Sequence, residues 1–226
     1  MPDRPNPLGD EQVLSRLLPA SVVAVEGRLE EIHGELHPEE AACVTRAVDK
    51  RVEEFRAGRV CARQAMATLG LPDAPLVSRE DRRPAWPDGV VGSISHCRGY
   101  CGAVVARNTE LQSVGIDIEV AGAVKEKLFK VILSETEQQW CSKQDDPTLW
   151  GTLLFSAKEA SYKAWYPATL EFLEFSDLVL EVDVEKQQFR SYFQNGKGQG
   201  RELLQGQYHL SADWVFTGVA MEVQPS

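Results

Sequence analysis

The stretch VVGSISHCRGYCGAVVARNTELQSVGIDIEV, Val90 to Val120, decides the fold class. Val90–His96 and Gly102–Ala106 read as two strands about the turn Cys97-Arg98-Gly99-Tyr100-Cys101, and Leu111–Val120 reads as a third. Short strands this close in sequence are expected to pair antiparallel. Upstream, His37-Pro38-Glu39-Glu40 has the proline and acids of a helix entry. From Ala41 to Leu69 apolar residues recur at helical spacing until Gly70 and Pro72, with Gly58 expected to divide the stretch into two helices. Pro72 to Pro87 reads as a surface connection.

Downstream, Val124–Leu133 predicts a short basic amphipathic helix, and Asp145-Asp146-Pro147 opens a helix that Pro167 is expected to end. Strands are expected at Leu178–Val184, Gln188–Phe193, Gln207–Trp214 and Val215–Val223. Asn195–Gly200 has a phosphate loop's glycines, but no helix follows, so a hairpin loop is expected. Residues 1–36, with one apolar patch from Leu14 to Val25, fit no element clearly. Helices beside short strands on both sides of Asn108–Gln112 make the class α+β, with halves 1–110 and 111–226.

The chain has 226 residues, and 24 Lys+Arg against 34 Asp+Glu give a net charge of −10. That balance argues against nucleic acid as a partner, since generic phosphate neutralisation needs a basic surface. An anionic ligand would have to be held by a local basic cluster. Five cysteines, at 43, 61, 97, 101 and 141, form no CxxC pair, so reduced structural thiols are expected rather than zinc ligands. The start, MPDRPNPLGDEQ, carries prolines and acids where a secretory leader is basic and then apolar. No apolar run reaches the ~20 residues of a membrane span. A cytoplasmic protein without a transmembrane segment is therefore expected.

Four segments could carry chemistry. In Gly115-Ile116-Asp117-Ile118-Glu119, strand alternation puts both acids on one face and both isoleucines in the core. Paired carboxylates suit Mg²⁺, with Mn²⁺ as a second candidate, or else simply face solvent at a sheet edge. In Phe155-Ser156-Ala157-Lys158-Glu159-Ala160-Ser161-Tyr162-Lys163-Ala164, Glu159 and Lys163 are one helical turn apart on an otherwise apolar helix. An exposed ion pair is the plain alternative, but charge on a mostly buried helix needs a partner. Arg56, Arg59 and Arg63 form one helical stripe near Lys50 and Arg51, and Arg79, Arg82 and Arg83 follow on the connection. Such a cluster in an acidic chain suits phosphate, or is a solvated face. Last, Gly92-Ser93-Ile94-Ser95-His96 lacks a nucleophile elbow, which disfavours a serine hydrolase built on Ser95 and His96. His96 could donate to a phosphate or be structural.

Taken in order, VCARQAMATLG, RRPAWPDGVVGSISHC, GIDIE and FSAKEASYKAWYP resemble the Sfp-type 4′-phosphopantetheinyl transferases, and in particular the subgroup of the enterobactin synthase D component and the actinobacterial broad-range enzymes. The resemblance runs from about Ala47 to Pro167. It implies two similar α+β halves related by a pseudo-twofold, with coenzyme A between them. The implied activity is Mg²⁺-dependent transfer of the phosphopantetheine arm of coenzyme A to a serine of an apo acyl, peptidyl or aryl carrier protein, releasing adenosine 3′,5′-bisphosphate. Such carriers belong to fatty acid, polyketide, nonribosomal peptide or siderophore synthases. By position, Asp117, Glu119 and Glu159 correspond to the metal carboxylates. Lys158 and Lys163 correspond to lysines near the phosphates, with Ser95 and His96 also at the coenzyme A phosphates. Arg51 and Arg59 correspond to basic residues around the nucleotide.

Some relatives carry basic residues where this chain has Ser78 or Asp81, so Arg82 or Arg83 would have to hold the 3′-phosphate. Glu159 is the first candidate for the base that deprotonates the serine and Lys163 the second. Lys125, Lys127, Leu128, Phe129 and Lys130 are a candidate dock for an acidic carrier. A fused pair of halves makes a monomer the expectation. A non-catalytic carrier-protein or coenzyme A binding module of the same fold is the alternative.

Overall fold

The computed structural model describes residues 12–223, so the proline-rich start read above lies, apart from Gln12, outside the described residues. After a single turn of helix, α1 (Val13–Arg16), and a strand, β1 (Val23–Arg28), come α2 (Pro38–Ala42) and the long α3 (Asp49–Thr68). Strands β2 (Val90–Cys97), β3 (Tyr100–Arg107) and β4 (Leu111–Val120) follow. The chain continues through α4 (Phe129–Ile132), α5 (Glu135–Cys141) and α6 (Pro147–Thr169). It ends in β5 (Leu178–Asp183), β6 (Gln188–Phe193), β7 (Leu203–Leu210) and β8 (Trp214–Glu222).

All pairing is antiparallel. The strands form a sheet β1-β3-β2 from residues 23–107 and a sheet β4-β8-β7-β6-β5 from residues 111–222. Each sheet carries one long helix, α3 on the first and α6 on the second. An apolar cluster lies between the two sheets, where Leu14, Tyr100, Val104, Ile116, Ile118 and Phe216 meet.

Local expectations are corrected in five places. Gly58 does not break α3, which runs unbroken for 20 residues. A Cβ there would stand 2.8 Å from the Ile94 side chain, so the missing side chain admits strand β2 against the helix. The interruption falls instead at residues 43–48. Pro167 lies inside the last turn of α6, where it forfeits only its own N–H, and the helix closes with Leu170 N–H on the Tyr166 carbonyl at 2.8 Å. The basic segment after β4 is a 3-10 turn plus one turn of α-helix. The strand expected at 207–214 begins four residues earlier. Residues 23–28, unplaced from the sequence, supply β1.

Two features of α6 place the functional side chains. Asp146 caps it by accepting from the Thr148 and Leu149 N–H groups at 3.1 and 3.0 Å, with Pro147 at its first position. Strand β4 crosses it at Gly115, where a Cβ would lie 2.1 Å from the Ala160 carbonyl oxygen and 2.4 Å from the Ala164 nitrogen. Only glycine allows this backbone-on-backbone approach, which sets Asp117 and Glu119 of β4 beside Glu159 and Lys163 of α6.

Candidate active site

The alternation of β4 holds: Ile116 and Ile118 enter the apolar cluster between the sheets, and Asp117 and Glu119 share the opposite face. That face is not open to solvent. It lies under α6, and Asp117 is 3% exposed, so the alternative of two acids simply facing solvent at a sheet edge does not hold for Asp117. Asp117 Oδ1 accepts from Lys163 Nζ at 2.6 Å and from the Ser95 hydroxyl at 2.9 Å. Its other oxygen, Oδ2, is buried with no partner. An unsatisfied carboxylate oxygen in a protein interior is costly and asks for a ligand.

Burial, with Asp117 and then Glu159 adding to it, pushes the Glu119 carboxyl up to about 7, and Lys163 only partly opposes this. Burial also raises Glu159, with Asp117 adding and Lys163 opposing. For Glu119 the sign follows: its contribution to stability is present below the ordinary carboxyl value of 4.5 and is lost as pH rises through about 7. Three acids facing one ammonium thus carry a surplus of negative charge. Among the described residues, no trio of His, Cys, Asp or Glu stands at metal-holding distances as placed. The donor chemistry nonetheless suits a hard divalent cation: all oxygen, one atom unpartnered, the others mutually repelling.

Two of the resemblance-based assignments are not brought to this point. Lys158 is buried on another side of α6. Its ammonium donates to the Ile132 carbonyl, the Glu137 carboxylate and the Phe175 carbonyl at 2.9, 2.9 and 3.0 Å, which uses all three protons. Burial lowers its pKa, and Glu137 opposes that. Arg59 is turned inward: Nε donates to the Leu76 carbonyl at 2.6 Å and Nη2 to the Ser78 hydroxyl at 3.0 Å. Burial lowers its pKa to about 10. It anchors the start of the connection carrying Arg79, Arg82 and Arg83. The sequence marked both residues as charges on a helix but could not show which way they turn.

Arg51 meets His96, its Nη1 lying 2.7 Å from His96 Nε2. A guanidinium only donates, so the His96 proton sits on Nδ1, which faces Glu54 Oε2 at 3.6 Å. Ser95 and His96 point to opposite faces of β2, and the Ser95 hydroxyl is taken by Asp117. A serine–histidine nucleophile is therefore not assembled. Between the sheets opens a cleft of about 640 Å³, walled by Arg82 and Arg83 of the connection, Trp86, and Tyr162, Lys163 and Tyr166 of α6. Arg83 pairs with Asp81 at 2.6 Å and stacks on Tyr166, whereas Arg82 carries no ion pair among the described residues.

This arrangement is matched by family comparison. Residues 39–106 match the 4′-phosphopantetheinyl transferase N-terminal domain and residues 113–217 the 4′-phosphopantetheinyl transferase superfamily. The chain belongs to the Sfp-type 4′-phosphopantetheinyl transferase family. It is 47% identical over 152 residues to the 4′-phosphopantetheinyl transferase Svp of Streptomyces mobaraensis, covering 66% of this chain and 61% of Svp. To PptT of Mycobacterium tuberculosis it is 42% identical over 149 residues, 66% of each chain, so it spans under two thirds of both these relatives. To Npt of Nocardia iowensis it is 37% identical over 175 residues, 76% of this chain and 78% of Npt. No helix among the described residues is long and apolar enough to cross a membrane.

Proposed function

We propose that this protein transfers the phosphopantetheine arm of coenzyme A to a serine hydroxyl of an apo carrier protein, assisted by a divalent cation held by Asp117, Glu119 and Glu159. The observation that carries the reading is the unpartnered Asp117 Oδ2, buried beside two carboxyls of raised pKa and next to a basic cleft between the sheets. Mg²⁺, when bound, supplies positive charge against the pyrophosphate.

The rest is work for the chain's own side chains. Arg82, Arg83 and Lys163 line the cleft and offset the charge of the nucleotide phosphates, and the Arg51–His96 pair offers further donors beyond that lining. The serine oxygen bonds to the pantetheine-bearing phosphorus as the bridging oxygen leaves with adenosine 3′,5′-bisphosphate. Glu159, its pKa raised by burial, takes the serine proton, and Lys163 stabilises charge growing on the leaving oxygen. A second groove of about 470 Å³, lined by Val131, Lys158, Glu159, Tyr162, Phe172 and Phe175, gives the pantetheine arm a mostly apolar bed.

The test is to incubate the protein with coenzyme A, Mg²⁺ and an apo carrier and to weigh the carrier. A gain of ~340 Da supports transfer. Binding without the gain would favour the non-catalytic module instead.

The carrier would meet the segment after β4. Lys127, Leu128, Lys130 and Val131 are exposed there, but Phe129 is buried against Gly151 and does not contribute. Exposed Phe172 extends the apolar surface. Lys127→Glu combined with Lys130→Glu is expected to raise KM for an acidic carrier about tenfold through charge repulsion, leaving KM for coenzyme A unchanged. Equal changes in both constants would move the dock elsewhere.

A further inference from the structure

The two sheets meet along β2 and β4, each the outer strand of its sheet. An outer strand presents N–H groups that need acceptors. Here side chains provide them: Ile116 N–H donates to the Ser93 hydroxyl and Ile118 N–H to the Ser95 hydroxyl, both at 3.1 Å. Both pairs are 23 residues apart, so the strands run in the same direction and the serines join the halves like two rungs.

The rungs are not equivalent. A hydroxyl has one proton to give and two lone pairs to offer. Ser95 uses all three, accepting from Ile118 N–H and from Lys163 Nζ at 3.2 Å while donating to Asp117 Oδ1 at 2.9 Å. Its orientation is fixed, and so is the carboxylate oxygen it holds. Ser93 is equally buried and makes the equivalent rung, but has no contact with Asp117.

We infer that Ser95 is a positioning residue for Asp117: with Lys163 it pins Oδ1 and so reserves the buried Oδ2 for a divalent cation, whereas Ser93 only joins the halves. This rests on the transfer reading above. Without the hydroxyl, only the partly exposed Lys163 would hold Oδ1, and the Asp117 carboxylate would be freer to turn about its last torsion, which is broad and roughly two-fold.

The experiment uses the full chain freed of metal, without coenzyme A or carrier. Mn²⁺ is titrated and its Kd taken from the free-ion paramagnetic signal, alongside the melting temperature. Ser95→Ala is expected to weaken Mn²⁺ binding about 10–100-fold, the usual loss when a ligand's orienting partner is removed. Ser93→Ala should stay within about threefold of the parent although its melting temperature also falls, because it too loses a rung. If Ser95→Ala does not fold, Ser95→Cys, near-isosteric with a far weaker donor, takes its place. The inference is overturned if the Ser93 and Ser95 variants shift Kd alike, or if the parent never saturates with Mn²⁺. A parent that modifies no carrier would instead overturn the transfer reading, which the mass assay detects separately.

Discussion

Asp117→Asn is expected to lower kcat/KM for phosphopantetheine transfer by about 10²–10³-fold or more while the protein stays folded. The change is isosteric, so the packing of β4 under α6 survives, and the amide oxygen can still accept from Ser95. What disappears is the anionic oxygen that has no protein partner. The lost ion pair with Lys163, 2.6 Å long, is offset in part because Lys163 is 28% exposed and can turn to water. It is offset further because Asp117 no longer crowds Glu119 and Glu159, both of which it now pushes upward. The Glu119 carboxyl should therefore titrate below its value of about 7, yet not fall to the ordinary range, since burial is the larger cause. Carrier mass gain against time measures the first effect, and carbon-13 NMR titration of the carboxyls the second. Unchanged transfer at ordinary Mg²⁺ would remove Asp117 from the site.

What the sequence makes legible is what repeats at a fixed period. Alternation along β4 told which residues share a face with Asp117, and the turn residues Asn195–Gly200 marked the β6–β7 hairpin loop. What it leaves unread depends on contacts far apart in the chain. The solvent that an edge strand could have offered Asp117 is replaced by α6, because Gly115 admits the helix backbone; glycine in a strand reads equally as a bulge. Gly58 looked like a breaker for the same reason: its partner, Ile94, lies 36 positions on. Strand β1 pairs with β3 across more than 70 residues, and its six positions are all half-buried, so no clean alternation announces it. Of the site residues, those on β4 and at the Ser95–His96 end of β2 are aimed by strand geometry. Arg59 and Lys158 have long side chains that can reach opposite ways from one Cα, and their direction is set by acceptors the sequence does not flag.

Lys158 makes that last point measurable. A lysine at the phosphates would lose affinity for coenzyme A on substitution and cost little stability. A lysine closing a buried network would do the reverse. The structure shows the network: Glu137 Oε1 accepts from Leu180 N–H at 2.8 Å, and Oε2 from Ser134 N–H at 2.6 Å and from Lys158. Lys158 then ties Ile132 and Phe175 to the same point. One ion pair, each side chain 2% exposed, thus gathers the end of α4, the start of α5, the turn before β5 and β5 itself around α6. Lys158→Met leaves the Glu137 charge buried without its cation and two carbonyls without a donor. It is expected to cost about 3–5 kcal/mol of unfolding free energy, read as a lowered denaturation midpoint at unchanged slope. In the folded fraction, KM for coenzyme A should move less than about threefold, since the ammonium's three protons are held by Ile132, Glu137 and Phe175 and methionine keeps an apolar stem at the pantetheine groove. Exchanging Glu137 and Lys158 together for leucine and methionine should recover much of the stability, because an apolar pair of similar volume needs no counter-charge. A Lys158→Met protein of normal stability with a KM for coenzyme A raised tenfold would instead return this lysine to the phosphates.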